Sequence, residues 1–295
     1  MEVFKTKDSK SKFIPINESN FEAATYQMPP YCINNGEKRS YHAICPVCDN
    51  PITIVGLYKK EDSDRKPYGK HHKGTIPKLA VYDEEAYLNC PFSHPTLKHH
   101  SRRSPTSKTS HELYKLMHDQ FDRVVYIWNK TMPIYLSETF ALEQLTLWVV
   151  NKEWLNYSVT YFNLSYMLNY TGQAISLLCR LVKADSELAA FLVKRKEFDL
   201  VQSRRRGYFK VVKSNNDWVD LHFHLTNQKY VVVDDSLHET MELHVVLNKN
   251  KVIYKETIEI DHAFADALFN KSDESTYRNQ RLLEKAQKIM DSKEL

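Results

Sequence analysis

Two cysteines, Cys45 and Cys48, lie two residues apart in the segment AICPVCDNPI. This spacing constrains the local fold, because a turn of that length brings both sulfur atoms within about 2.3 Å of one metal ion. A redox pair of the same spacing needs a helix that begins at the first cysteine and lowers its pKa. Pro51 and then β-branched residues follow Cys48, and they favour a strand over a helix. The segment therefore predicts one half of a metal site, and unlinked thiols are the remaining alternative.

A second pair of donors occurs in the segment CPFSH, where Cys90 and His94 are separated by three residues. The two segments together supply three thiolates and one imidazole, which is the ligand set of a tetrahedral zinc site. Their spacing resembles the knuckles of zinc-ribbon and treble-clef modules in general. Four protein ligands leave no open position on the ion, so we expect a structural zinc. The expected ligands are Cys45, Cys48, Cys90 and His94, and the other candidates for the fourth position are His71, His72, His42, His99 and Cys32.

Positive charge is concentrated in the N-terminal third of the chain. Residues 1–111 carry 17 Lys and Arg against 12 Asp and Glu, whereas the net charge of the whole chain is +4. Such a segment favours an anionic partner, and we expect a nucleic acid whose phosphates it contacts, although a solvated basic surface would show the same composition. The expected contact residues are Lys70, His71, Lys73, Lys98, Arg102, Arg103, Arg204, Arg205 and Arg206.

The pattern of apolar residues changes twice along the rest of the chain. From Leu113 these residues recur at helical spacing. Helices are expected from a cap at Thr109, from a cap at Ser137, and over 154–170, 175–182 and 186–196. After residue 203 the period becomes two, and WVDLHFHL alternates strictly, as in a strand with one buried face. The final segment, from Ala263, is helical again.

The expected fold class is therefore α+β. It consists of an N-terminal zinc-knuckle module, a central helical bundle, and a C-terminal antiparallel sheet with a terminal helix. The expected domains are a zinc-binding basic module over 1–97, a basic linker over 98–110, a helical domain over 111–200, and the sheet with its helix over 201–295.

Histidines also lie on the predicted strands. His222 and His224 alternate with apolar residues, and His244 lies on a neighbouring strand. With Asp220 and Glu242 they suit a solvent-exposed sheet face, which we expect, or else a metal or acid–base site. Two other motifs are incomplete: HETMELH lacks the second histidine of a zinc protease, and GKHHKGT lacks the lysine that ends a phosphate-binding loop.

These patterns lead to one expected function and two alternatives. The first is a cytoplasmic, non-enzymatic zinc-binding protein of the zinc-finger type that contacts DNA or RNA through its basic module. In this hypothesis the helical block and the C-terminal sheet bind a protein partner. The second is a metal-dependent nuclease or related hydrolase that uses the sheet histidines. The third is an adaptor in which zinc only stabilises the fold and the partner is a protein. We expect no membrane span, because no stretch reaches about 18 consecutive apolar residues.

Overall fold

The structure is a computed structural model of the 295-residue chain. It describes residues 1–8, 13–36, 38–58, 66–93, 102–170, 174–215, 218–233, 236–248, 251–272, 274 and 278–292. The described residues form eight α-helices and four antiparallel sheets, which confirms the predicted α+β class. They divide into two compact units. The first unit comprises Met1–His99 and Tyr230–His238, and the second comprises His100–Lys229 and Glu239–Leu295.

The first unit is built on a four-stranded antiparallel sheet with the strand order β3–β4–β5–β6. These strands are β3 (Cys32–Asn35), β4 (Lys38–Ile44), β5 (Pro51–Val55) and β6 (Tyr68–His71). A two-stranded sheet precedes it, formed by β1 (Val3–Phe4) and β2 (Ile14–Pro15). The helices of this unit are α1 (Glu18–Thr25) and α2 (Glu84–Asn89).

The core of the first unit is small. Its main cluster of buried apolar residues includes only two phenylalanines, Phe4 and Phe21, and it also includes the thiols of Cys45 and Cys90. Two of the sulfur atoms that could bind a metal ion therefore belong to the core itself, where a bound ion would join the elements that pack there. All the cysteines of the chain are free. The first unit is therefore one that a bound metal would stabilise substantially.

The second unit contains most of the helices. They are α3 (Lys108–Thr131), α4 (Glu138–Val150), α5 (Leu164–Met167), α6 (Glu187–Leu192), α7 (His262–Phe269) and α8 (Gln280–Asp291), with a 3₁₀ turn at Glu153–Leu155. None of the helices in the described part of the chain is long and apolar enough to cross a bilayer.

Two further sheets accompany these helices. One has the strand order β10–β11–β9–β7 and the other has the order β14–β13–β12–β8. Their strands are β7 (Ile134–Tyr135), β8 (Ile175–Ser176), β9 (Leu181–Lys183), β10 (Phe198–Gln202), β11 (Tyr208–Lys213), β12 (Leu221–Val233), β13 (Ser236–Leu247) and β14 (Lys251–Ile260). Helical and sheet residues, such as Trp148 and Phe223, belong to one buried apolar cluster. Residues from 111–200 and from 201–295 therefore pack into a common core.

The observed helix caps agree with those predicted from the sequence, except that one helix begins two residues earlier than predicted. The hydroxyl of Ser137 caps α4 by accepting from the N–H of Phe140 at 3.3 Å, and Ser186 caps α6 in the same way. Helix α3 begins at Lys108, because the hydroxyl of Ser107 accepts from the N–H of Ser110 at 3.2 Å. The predicted cap at Thr109 is therefore two residues too late, and Thr109 lies in the first turn.

The helix expected over 154–170 is not continuous, which corrects the interpretation of its apolar pattern. A 3₁₀ turn, an irregular stretch and the short helix α5 replace it. The guanidinium of Arg103 donates to four carbonyl oxygens that a helix would use for its own hydrogen bonds. These carbonyls belong to Trp154, Asn156, Tyr157 and Val159, at 3.2, 2.6, 3.3 and 2.7 Å. The amide of Asn163 also bonds to the backbone at Thr160 and Ser158.

The segment 175–182 differs from the sequence prediction in a similar way. Instead of a helix it forms β8 and most of β9. Ile175 pairs with Phe223 of β12, and Val182 pairs with Phe209 of β11. The apolar residues of this segment suit either a helix or a buried strand, and pairing with distant strands decides the outcome.

Candidate metal centre

Three elements of the first unit bring the candidate ligands together. The turn between β4 and β5 carries Cys45 and Cys48, and it is closed by a hydrogen bond from the N–H of Cys45 to the carbonyl of Asn50 at 2.8 Å. Cys90 is the C-cap residue that directly follows α2. His71 is the last residue of β6, where it pairs with Ile52 of β5. Strand pairing therefore places an imidazole beside the CPVC turn.

The distances within this cluster suit a single ion. The sulfur of Cys45 lies 3.6 Å from that of Cys90, and the sulfur of Cys48 lies 3.3 Å from Nε2 of His71. All four donor atoms lie within 4.8 Å of one another. Tetrahedral zinc with ordinary bond lengths separates two sulfurs by about 3.8 Å and a sulfur from a nitrogen by about 3.6 Å. The group can therefore hold a metal ion with four protein ligands.

The fourth donor in this cluster is His71, which the sequence had offered both as an alternative ligand and as a nucleic-acid contact. His94, the expected fourth ligand, lies outside the described residues, and so does His99. His42, another candidate, contacts two hydroxyl groups outside the cluster. Its ring nitrogens lie 3.0 Å from the Ser40 hydroxyl and 3.3 Å from the Thr53 hydroxyl. His72 and Cys32 are not members of the group. Within the described chain, His71 therefore completes the site.

Hydrogen bonds among the three thiols shift their pKa values in opposite directions. Hydrogen bonds from Cys45, then from Cys90, and more weakly from His71, lower the pKa of the Cys48 thiol far below its usual range. The hydrogen bond to Cys48 raises the pKa of Cys45 to about 12, and the hydrogen bond with Cys45 raises the pKa of Cys90. Without a metal the cluster therefore favours a single thiolate at Cys48. A bound cation would release the remaining thiol protons, because metals bind the thiolate form.

Asn50 is a residue near this site that the sequence had not singled out. Its buried side-chain amide donates to the sulfur of Cys48 at 3.4 Å and to the carbonyl of Asp83 at 3.0 Å. Its oxygen accepts from the N–H of Asp83 at 2.7 Å, and Asp83 caps α2. Asn50 therefore links the CPVC turn to α2, the helix that Cys90 follows. The ring of Tyr87, also on α2, packs edge-to-face against His71 at 5.1 Å.

We expect Asn50→Ala to lower the affinity for zinc about 10- to 100-fold, because a group that hydrogen-bonds to a metal ligand fixes the orientation of that ligand. A titration of the metal-free protein against a chromophoric chelator measures this change. Asn20→Ala is the control, since Asn20 bonds only locally around the start of α1. Equal affinities of Asn50→Ala and wild type would show that the Asp83 and Cys48 contacts do not support the site.

The cationic residues proposed for nucleic-acid contact have different environments. Lys70, Lys73, Arg102 and Arg204 to Arg206 are exposed, whereas Lys98 lies outside the described residues. Arg103 is only 3% exposed, and its guanidinium is engaged by backbone carbonyls of its own unit. Arg103 therefore stabilises the fold of the second unit, and its side chain is buried.

A basic depression of the first unit adjoins His71. Its volume is about 760 Å³, and Lys70, Lys73 and several aromatic rings line it. None of the described residues that line it is acidic. The ammonium of Lys73 lies 5.3 Å from the ring centroid of Tyr87. This cation–π contact holds the positive charge over the depression.

A second basic depression belongs to the second unit, at the turn between β10 and β11. Arg204, Arg205 and Lys210 line it, and its described lining contains no acid. The guanidinium of Arg205 lies 4.1 Å from the ring centroid of Tyr135 and 5.5 Å from that of Tyr208. The three arginines therefore sit at the tip of a β-hairpin, with Arg205 ordered against two aromatic rings.

The sheet histidines form pairs with carboxylates. His222 lies 3.0 Å from Asp220, and His244 lies 2.8 Å from Glu242 and lowers the pKa of that carboxyl to about 2. His244 is buried, unlike the exposed face that its alternation predicts. Burial and the neighbouring His244 lower the pKa of His224. Among the described residues, the only group of three or more donors close enough to share a metal ion is the one at Cys45.

Comparison of the chain with models of protein families, with curated proteins and with solved structures found no significant match. The four-donor cluster is therefore assigned from the chemistry and spacing of its own side chains.

Proposed function

We propose that the protein binds zinc at Cys45, Cys48, His71 and Cys90, and that this zinc stabilises a module that contacts nucleic acid without catalysis. The observation that carries the proposal is the cluster of three sulfurs and one imidazole nitrogen, all within 4.8 Å of one another. Thiolate and imidazole ligands in a tetrahedral arrangement favour zinc over the harder cations magnesium and calcium.

A structural role for the zinc is supported by burial and by the ligand number. Cys45 and Cys90 are almost fully buried and belong to the small core of the first unit. Four protein ligands fill a tetrahedral shell, so no position is left for a reactive water. The three thiols must also escape oxidation, and a reducing cellular compartment such as the cytoplasm is therefore part of the proposal.

Contact with nucleic acid is supported by the two basic depressions. Each is lined by exposed cations without an acid in its described lining, and each includes at least one aromatic ring beside the cations. Phosphates are attracted by such charge, and guanidinium and aromatic groups add stacking. The DNA or RNA type is left to the experiment.

The proposal is tested by fluorescence anisotropy of the zinc-loaded full chain with labelled 20-nucleotide DNA and RNA. We expect binding at 50 mM salt that weakens steeply at 200 mM, because phosphate contacts release counterions. Removing two contacts with Lys70→Gln/Lys73→Gln should reduce the slope of log K against log salt by about 1.4 on a single strand. The triple change of Arg204, Arg205 and Arg206 to Gln should reduce it by about 2.

The matched control is Lys194→Gln/Lys196→Gln, which removes the same charge as the lysine pair from exposed positions outside both depressions. This control should leave the slope within error of wild type. Absence of binding at 50 mM salt, or binding that does not respond to salt, would refute the nucleic-acid part of the proposal.

A further inference from the structure

The depression beside His71 combines cations with accessible aromatic surface. Tyr68 lines it with a side chain that is 42% exposed, and the half-buried ring of Phe92 lines it as well. Tyr68 and Lys70 are two residues apart on β6, which runs along the edge of its sheet. Residues at this spacing project from the same face of a strand, about 7 Å apart. An aromatic ring and an ammonium group therefore stand side by side along one edge.

The opposite face of β6 explains why this arrangement is fixed. Gly69 is buried, and a Cβ there would lie only 3.0 Å from Cδ1 of Ile52 and 3.2 Å from Cδ1 of Ile16. The next residue on that face is the metal-ligand candidate His71. Packing at Gly69 and ligation at His71 would hold the strand in place, so Tyr68 and Lys70 are presented on an ordered backbone.

The ligand that matches this surface is an unpaired nucleotide. A base stacked on Tyr68 would place its phosphate near Lys70 and Lys73, and stacking on aromatic rings is the general mode by which proteins bind single strands. Bases within a duplex are stacked on one another and cannot offer a face to Tyr68. Phosphate contacts alone would bind a duplex equally well.

We propose that this depression binds single-stranded nucleic acid, with an unpaired base stacked on Tyr68 and phosphates on Lys70 and Lys73. The inference rests on the proposed function, because it names the form of nucleic acid that the first unit takes. It also adds a stacking contact with a base to the phosphate contacts that the charged residues provide.

The test compares the zinc-loaded full chain with a labelled 20-nucleotide single strand and with the duplex of the same sequence at 150 mM salt. We expect at least tenfold tighter binding of the single strand. Tyr68→Leu, which keeps an apolar side chain but removes the ring, should weaken single-strand binding about tenfold and leave duplex binding unchanged. Tyr68→Phe keeps the ring and should bind like wild type.

Zinc content and circular dichroism establish that each variant is folded, and Tyr68→Val, which suits a strand and also removes the ring, serves as the second variant if Tyr68→Leu does not fold. Equal binding of single strand and duplex would overturn the inference, and so would unchanged single-strand binding by Tyr68→Leu or by its substitute. In those cases salt-dependent binding would still support the proposed function. Failure of every nucleic acid to bind at 50 mM salt would refute both.

Discussion

Cys90→Ala is expected to reduce bound zinc from one ion per chain to less than about a tenth and to unfold the first unit. Cys90 is 1% exposed, and its sulfur lies 3.6 Å from that of Cys45. Removing it leaves a three-ligand site and a cavity in a core that is already small. Structural zinc contributes about 10–16 kcal/mol of apparent binding free energy in zinc-finger peptides. A contribution of that size is comparable to the whole stability of a typical domain, which is about 5–15 kcal/mol.

Elemental analysis measures the zinc, and hydrogen exchange of residues 1–93 measures the folding of the first unit. Cys32→Ala is the matched control, because Cys32 is 6% exposed in the same unit and is not part of the donor cluster. This control should keep one zinc per chain. The four tryptophans of the chain all lie within 100–229 of the second unit, so their fluorescence should be unchanged in both variants. One zinc per chain in Cys90→Ala would exclude Cys90 as a ligand.

Arg103→Met is expected to destabilise the second unit by about 3–5 kcal/mol. Methionine keeps an unbranched apolar stem but leaves the carbonyls of Trp154, Asn156 and Val159 without their buried donor. For a unit of this size the midpoint of thermal unfolding should fall by about 10 °C. Tryptophan fluorescence reports this transition, because every tryptophan belongs to the second unit.

Arg102→Met is the natural control for that experiment. Arg102 is the adjacent arginine, it is exposed, and its substitution should change stability by no more than about 0.5 kcal/mol. Arg103→Lys should recover only part of the loss, because one ammonium group cannot reach all the carbonyls that a guanidinium spans. A midpoint for Arg103→Met within 2 °C of wild type would mean that these carbonyls find other partners at little cost.

The cysteines of the four-donor cluster were predictable because their chemistry is local. A CPVC turn followed by a strand carries its own geometry, and the structure shows β5 beginning at Pro51 as the β-branched run indicates. Cys90 could be paired with this turn on residue type alone. The caps at Ser137 and Ser186 and the strict alternation of β12 were local signals of the same kind.

The position of His71 depends on long-range pairing, and residue spacing alone could not select it from several histidines. His71 reaches the cluster because β6 pairs with β5, with His71 opposite Ile52. A usable signal was present in the alternation of YGKH. If this segment is a strand, Tyr68 and Lys70 share its outer face, and His71 shares the inner face with Gly69. Asn50 carried no comparable signal, because its bond to Asp83 spans 33 residues.

The interruption of the helix expected over 154–170 has the same kind of cause. The apolar residues of that segment fit a helical stripe, but the guanidinium that engages its carbonyls comes from Arg103, more than 50 residues earlier. The polar, basic stretch around Arg103 predicts an exposed cation at this position. A buried arginine that satisfies backbone carbonyls cannot be distinguished from an exposed one by composition.

We propose His71 as the fourth ligand of a zinc site with Cys45, Cys48 and Cys90. The most direct measurement is a zinc titration against a chromophoric chelator for wild type, His71→Ala and His94→Ala, each as the full chain. We expect His71→Ala to lower the affinity at least 100-fold and His94→Ala to bind zinc like wild type. An unchanged affinity in His71→Ala together with a loss in His94→Ala would contradict the claim and place the fourth ligand at His94.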